Sequence, residues 1–340
     1  MSTKINALQL PKGFRIRPAM MGDVPAVVKL SNIFTQHYLG ISEDDIDDTE
    51  NAWEEPGFSP SDDVRLVFSS QDELVGYIEV WSNASPPVHP WLWGYVNPDY
   101  EGCGLGTYLL TWGETRAREA VSRCPENARV AIQCGIESTI DTVKERFSEY
   151  GMQIIRHYFR MRIEMDAPPP APQWPEGITL RPYNPEKDAE SVYRIDDEVF
   201  QDHFGYVQEP FEEGFERFMH HMAKKESYDP TLWFLAVDDD EIAAICLCRK
   251  WDTEDRDCGY VSILGVRRPW RQRGLGLTLL QHFFGEFYRR GKRKVALGVD
   301  GQNLTGALRL YKKAGMSVHR QFDLYEKELR AGEEISVVAI

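Results

Sequence analysis

"RQRGLGLTLL" (271–280) follows the β-rich run "YVSILGV" (260–266) and opens a segment with Leu279, Leu280, Phe283, Phe284 and Phe287 at spacings of three and four. That spacing gives a helix with one apolar face. A strand, a glycine turn and a helix in this order leave backbone N–H groups without partners at the helix N-terminus, where they face an anion. Gly274 and Gly276 let a ligand approach the backbone closely. Arg271 and Arg273 lie in the turn itself and suit a pyrophosphate. A bare GxG also fits an ordinary strand-to-helix connection, so the neighbouring charge matters. Residues 267–294 hold nine Lys/Arg and one acid, Glu286.

The turn has a counterpart 170 positions earlier, "EGCGLGTYLL" (101–110). There the window 97–124 holds three Arg and four acids, so only the later copy looks built for a polyanion. Three more pairs keep the same order: "FRIRPAMMGD" (14–23) with "ITLRPYNPEKD" (178–188), "FTQHYLG" (34–40) with "FQDHFGY" (200–206), and "FSEYGM" (147–152) with "YKKAGM" (311–316). Their common order and offsets of 164 to 170 residues argue for a duplicated domain. Between the copies, "DAPPPAPQWPEG" (166–177) carries five prolines, which favour an extended spacer. The expected division is a first domain over 1–166, a linker over 167–177 and a second domain over 178–340.

In the second copy the pattern predicts a strand at 178–181, helices at 186–200 and 211–225, a hairpin turning at 238–241, and a strand at 260–266. It continues with a helix at 275–290, a strand at 294–299, a helix at 304–314 and a strand pair around 318–329. The apolar tail "ISVVAI" (335–340) reads as a terminal strand. The fold class is α/β with a mixed sheet.

A chain of 340 residues has room for two cores. Its formal charge of −15 argues against nucleic acid or an anionic membrane as partner and tolerates cationic or neutral small molecules. No apolar run approaches the roughly 20 residues of a membrane span, and residues 1–10 lack a signal-peptide core, so a cytoplasmic location is expected. The six cysteines show no CxxC spacing and read as reduced thiols rather than disulfides or metal ligands. Cys246 and Cys248, two apart in a strand, share a face.

The hexapeptide "RQRGLG" (271–276) and the later "DGQNLTGALRLYKKAGM" (300–316) together resemble the diphosphate-binding and catalytic segments of the GNAT superfamily of acetyl-CoA-dependent N-acetyltransferases. The resemblance implies two tandem GNAT-like domains, each a mixed, mostly antiparallel sheet flanked by helices. The tandem arrangement, with the better-preserved copy second, resembles the mycothiol synthase family. By this resemblance the strand end Leu264, Gly265 and Val266 and the turn Arg271, Gln272, Arg273, Gly274, Leu275, Gly276 and Leu277 hold the acetyl-CoA co-substrate. Asn303 lies on the pantetheine side, and Tyr311 is the general acid. A phenol of ordinary pKa about 10 stays protonated at neutral pH and can give its proton to a departing thiolate of ordinary pKa near 8.5. The plainer reading of Tyr311 is a core aromatic at helical spacing from Ala307 and Leu308.

Aligned on the closing turns, the first copy has Phe147 for Tyr311 and Thr139 for Asn303, and Glu101 stands where the second has Arg271. The first copy therefore reads as non-catalytic, either shaping a substrate cleft with its "WSNASPPVHPWLWGY" (81–95) or still holding CoA through its backbone at 104–106.

Mycothiol synthases carry a Glu on the strand before the glycine turn; "CGYVSILGV" (258–266) has no acid, and Tyr260 near that place is expected to position substrate. A base is then sought among Asp257, Asp202, His203, His37 or ordered water. The expected function is acetyl transfer to the primary amine of a small molecule by direct attack in a ternary complex, the chain acting as a monomer without a metal. The other readings are a non-catalytic CoA-binding sensor or scaffold, and a protein or peptide N-acetyltransferase.

Overall fold

A computed structural model of the chain describes residues 9–303 and 306–338. The glycine turn follows a strand that pairs with the second arm of a hairpin. "WFLAVDDDEIAAICLC" doubles back at Asp239, whose φ of 51° is a left-handed conformation that Asp tolerates in turns. The chain divides into two compact units, residues 1–155 with 323–335 and residues 156–322 with 336–340.

The first unit holds β1 (Arg15–Pro18), α1 (Val24–Leu39), α2 (Ile46–Trp53), α3 (Pro60–Asp63), β2 (Val64–Phe68) and β3 (Leu74–Trp81). It continues with β4 (Trp91–Trp93), α4 (Leu105–Glu119), β5 (Val130–Glu137), α5 (Asp141–Glu149) and the start of β6 (Gln153–Glu164). The pairs β1–β2, β2–β3 and β3–β4 are antiparallel, whereas β4–β5 is parallel. Val24, Val27, Leu30 and Phe34 of α1 and Leu105 and Leu109 of α4 pack with the sheet residues Leu66, Val75 and Ile132 in one buried cluster.

The second unit takes most of β6, then β7 (Ile178–Pro182), α6 (Pro185–Phe200), α7 (Phe211–Ala223), β8 (Tyr228–Asp238) and β9 (Glu241–Arg249). It goes on with β10 (Cys258–Val266), α8 (Leu275–Arg289), β11 (Lys294–Asp300), α9 (Ala307–Lys313) and the first part of β12 (Ser317–Arg330). Its order β7-β8-β9-β10-β11 repeats β1-β2-β3-β4-β5, again with one parallel pair, β10–β11, among antiparallel ones. Phe283, Phe284 and Phe287 of α8 are buried against Val261, Val295 and Leu297, as the spacing predicts. The mixed, mostly antiparallel sheet flanked by helices is thus built twice.

Three expectations change. The strand pair around 318–329 is one continuous strand, β12; "SVHRQFDLYEKELR" contains no Gly, Pro or Asn to turn it back. From Asp323 onward that strand belongs with the first unit, beside β5, and Arg156–Glu164 of β6 belongs with the second, beside β11. The tail at 335–338 forms no strand; Val337 alone exchanges two backbone hydrogen bonds with Gly205 and Tyr206 at 2.9 Å, and residues 339–340 lie outside the described residues. The start expected for α9, Leu304, also lies outside them. The proline-rich segment has no regular structure and lies along α8: the Gln173 carbonyl accepts from the Thr278 hydroxyl at 2.9 Å, and Trp174 packs near His282.

Five of the six cysteines are buried and none is bonded; the Cys246 and Cys248 sulfurs lie 4.0 Å apart on one face of β9. Among the described residues no helix is long and apolar enough to cross a membrane.

In the first unit two acids are held above their ordinary range. Burial, reinforced by Glu43 and Asp48, pushes Asp44 up to about 7, and Glu79, which accepts from the indoles of Trp53 and Trp81, is likewise pushed up by burial to about 7. Both folded values exceed the ordinary 3.8 and 4.5, so the folded state retains protons that the unfolded state releases. The stability these neutral acids contribute is present below about pH 4 and is lost as pH rises through 7. Asp44→Asn removes that loss at one site. Its Tm advantage over the parent chain should grow between about pH 4 and 7 and then level off, reaching roughly 2–8 °C in a thermal scan; an advantage independent of pH would overturn the assignment.

Candidate active site

Strand β10 is irregular where the site forms. Its pairing with β9 skips Ser262 between Val261 and Ile263, a β-bulge. Its parallel pairing with β11 runs only from Cys258–Lys294 to Val261–Leu297, although both strands continue. Past that point the two backbones part, and the opening exposes main-chain groups of Leu264 to Val266.

Two cavities occupy the opening. One, of about 500 Å³, is walled by Leu264, Gly265 and Val266 and by the glycine turn, including Arg271, Gln272, Gly274, Leu275, Gly276 and Leu277. The other, of about 670 Å³, is walled by the rings of Tyr158, Phe159, Phe204, Tyr206 and Phe322 together with Ser262, Asp300 and Asn303. Phe200, His203, Leu264, Ala307 and Tyr311 line both, so the cavities meet at those five residues.

In the turn, Gly274 caps α8 in the left-handed region (φ 85°, ψ −3°) with no side-chain cap, which leaves the N–H groups of the first helical turn unsatisfied by the helix. Gln272 also takes a positive φ of 63°, where the first copy has Gly102 at 74°. A Cβ on Gly265 would stand 2.6 Å from Val199 Cγ2, so α6 can reach the strand end only over glycine.

The nine bases counted around this turn are not a free cationic face. Arg267 pairs with Glu198 at 2.8 Å, Arg268 with Asp202 at 2.5 Å, Arg290 with Glu286 and Asp229, and Lys294 with Asp255 at 2.8 Å. Arg273 turns to Asp238 and the Glu176 carbonyl and lines neither cavity. Apart from Glu286, these acids come from segments outside 267–294, which a local charge tally omits. Arg271 does line the smaller cavity; its Nε donates to the Val266 carbonyl at 3.0 Å, and its Nη1 lies 3.6 Å from Asp202.

Tyr311 projects from α9 and is buried to 8% exposure. Burial first, then Cys246 and Tyr260, raises its phenol well above the ordinary 10, so it stays protonated. Asn303 walls the larger cavity rather than the glycine-turn one. Tyr260 lines neither; its ring lies under the Arg160 guanidinium at 5.1 Å. Of the base candidates, Asp257 is exposed in the turn before β10, Asp202 is tied to Arg268, and His37 is exposed on α1. His203 alone among them lines the cavities. The ring wall of the larger cavity was not found by sequence reasoning; "FQDHFGY" offers a repeat and the base candidates Asp202 and His203, and nothing local marks Phe204 and Tyr206 as cavity walls.

The Acetyltransferase (GNAT) family pattern matches residues 27–133 and again 190–316. The chain belongs to the GNAT family. Among curated relatives, the mycothiol acetyltransferase of Thermobispora bispora is 28% identical over 270 residues, covering 76% of this chain and 81% of its own. That of Rhodococcus erythropolis is 26% identical over 255 residues, covering 72% and 78%. Among solved structures, a GCN5-related N-acetyltransferase from Sphaerobacter thermophilus matches at a TM-score of 0.79 and 35% identity, over 97% of this chain and 100% of that one. A tandem GNAT protein from the clavulanic acid biosynthesis pathway matches at a TM-score of 0.70 and 15% identity over 94% and 100%, a likeness of fold. As a GNAT protein the chain is an N-acetyltransferase with acetyl-CoA as acyl donor. The second unit fits that donor: a helix start with unsatisfied N–H groups, two turn residues at positive φ and a cavity leading to Tyr311.

The first GNAT copy repeats the turn but not the space. Gly104 caps α4 at φ 81° and ψ 1°, almost the angles of Gly274. Over the helix start, however, lies Arg146, whose Cδ and Nε would be 2.8 and 2.9 Å from a Cβ on Gly106; the matching Gly276 faces Leu310 at 3.1 Å. The cavity there measures about 90 Å³ and is bounded by Phe34, Tyr95, Trp93 and Phe147.

Proposed function

We propose that the second unit transfers acetyl from acetyl-CoA to the primary amine of a small molecule, by direct attack in a ternary complex. The observation that carries this reading is the meeting of the two cavities at Tyr311: one has the glycine turn for the diphosphate, the other a wall of rings for an acceptor. Backbone N–H groups of 272–277, with Arg271, hold the diphosphate, and the open edge at Leu264, Gly265 and Val266 takes the pantetheine arm. Asn303 bounds the acceptor side, whereas Tyr260 lies outside the cavity wall and acts only through its neighbours. Tyr311 gives its proton to the departing sulfur.

The acceptor differs from that of the mycothiol acetyltransferase relatives in this reading, because β10 carries no carboxylate and aromatic rings dominate the acceptor wall. Apolar or aromatic amines suit it. Incubating the protein with acetyl-CoA and a panel of primary amines, and following free thiol, should identify acceptors; no thiol release above hydrolysis with any amine would sink the proposal.

In this reading the first unit does not hold a second donor, since Arg146 stands over its helix start where the second copy has Leu310. Calorimetric titration with acetyl-CoA should give one site per chain. Two sites of similar affinity would contradict this.

A further inference from the structure

Acetyl transfer to an amine requires a group that removes a proton from nitrogen, and the usual place for an acid in such a site is blank here. Strand β10 reads "CGYVSILGV", without a carboxylate. Asp300 reaches the larger cavity, but its Oδ2 accepts from Arg156 Nε and Nη2 at 3.1 and 3.0 Å and its Oδ1 from the Gln302 N–H at 2.9 Å. A carboxylate so committed to a guanidinium is a poor proton acceptor.

Resting on the reading above, we propose that His203 is the catalytic base, its imidazole standing at the junction of the two cavities together with Tyr311. The turn that carries it is held at several points. The His203 N–H donates to the Phe200 carbonyl at 2.8 Å, the Tyr206 N–H to the His203 carbonyl at 3.1 Å, and Val337 exchanges hydrogen bonds with Gly205 and Tyr206 on the same turn. The Phe200 ring meets the imidazole edge-on at 4.5 Å. The backbone and one ring face are thus fixed, while the ring nitrogens have no hydrogen-bond partner among the described residues.

Burial is the main influence that lowers the imidazole below its ordinary 6.5; Arg271 adds to this, and Asp300 and Asp202 oppose it. Tyr311, from α9, also lines the junction and remains neutral. His203 is therefore neutral and able to accept a proton at physiological pH.

The step balances as follows in atoms. The neutral amine nitrogen bonds to the thioester carbonyl carbon, and the nitrogen of the adduct becomes positive and strongly acidic. Its proton passes to His203, the carbon–sulfur bond breaks, and the sulfur takes the Tyr311 proton. The imidazolium and phenolate then return to their starting forms through solvent, leaving the amide and a free thiol.

The test uses the full chain with an acceptor found in the amine panel. If no amine is acetylated by the parent protein, the functional reading falls and His203 falls with it. If one is, kcat/KM should fall on the acid side with an inflection below 6.5, as His203 protonates. His203→Gln should bind acetyl-CoA as before, lose that acid limb and drop kcat by about 10²- to 10⁴-fold. His203→Ala should regain part of its rate in added imidazole, a response that a merely structural histidine would not give. Retention of the acid limb or of kcat in His203→Gln, or a His203→Ala protein that binds acetyl-CoA yet ignores imidazole, would overturn the assignment.

Discussion

Tyr311→Phe should lower kcat by about 10²- to 10⁴-fold while leaving acetyl-CoA affinity within about twofold. In the proposed reaction, removing the hydroxyl deletes the proton donor for sulfur and leaves the ring as part of the cavity wall. The loss corresponds to about 3 to 5 kcal/mol of transition-state stabilisation. Because burial already raises the phenol, the parent enzyme should show no loss of rate from Tyr311 ionisation below about pH 9. Stopped-flow thiol release together with calorimetric binding separates the two effects. A variant that turns over like the parent would make Tyr311 a packing residue, which its burial at 8% exposure also permits.

Arg271→Glu should weaken acetyl-CoA binding by at least about 10- to 100-fold, the scale of a charge-assisted hydrogen bond to a phosphate. The reversed charge would also face Asp202, now 3.6 Å from the guanidinium, and add repulsion at the cavity mouth. The weakening should shrink at high ionic strength, because Arg271 is 30% exposed and screened. Arg273→Glu is the matched control. Its guanidinium is turned to Asp238 and the Glu176 carbonyl, outside the cavity, so its reversal should change acetyl-CoA affinity far less. Equal losses from both variants would mean that the turn attracts the diphosphate by overall charge, and no loss from either would leave the backbone amides as the whole of the site.

These two arginines mark where sequence reading reached its limit. Both sit in "RQRG", two residues apart, with the same charge, and nothing local distinguishes them. Arg273 is claimed by Asp238 at the β8–β9 turn, 35 residues away, and Arg271 is left at the cavity. The same holds for His37 and His203, which occupy matching places in the repeat "FTQHYLG" and "FQDHFGY". One is exposed on α1; the other follows the end of α6, where the strands of the second unit part.

The first copy gives the complementary case. Its glycine turn has the same geometry as the second, so the helix N-terminus alone does not make a site. Arg146, which matches Leu310, covers the turn with a long side chain, and Phe147, which matches Tyr311, offers no hydroxyl. The replacement of Tyr by Phe was legible; the position of Arg146 over Gly106 was not, since 40 residues separate them and only folding brings them together.

By itself the sequence determined the duplication, the α/β order with one glycine turn per copy, the acyl donor class and the candidacy of Tyr311. The first two are properties of short segments, fixed by local periodicity and backbone freedom; the donor class and the candidacy of Tyr311 were implied by the likeness of 271–276 and 300–316 to the GNAT motifs. Tertiary structure decided which arginine of the turn lines the cavity, which histidine lines it, and why one copy keeps about 500 Å³ beside its turn and the other about 90 Å³. Cavities and ion pairs are made by side chains from distant segments competing for the same space and the same partners, and that competition is settled only when the sheet and helices pack.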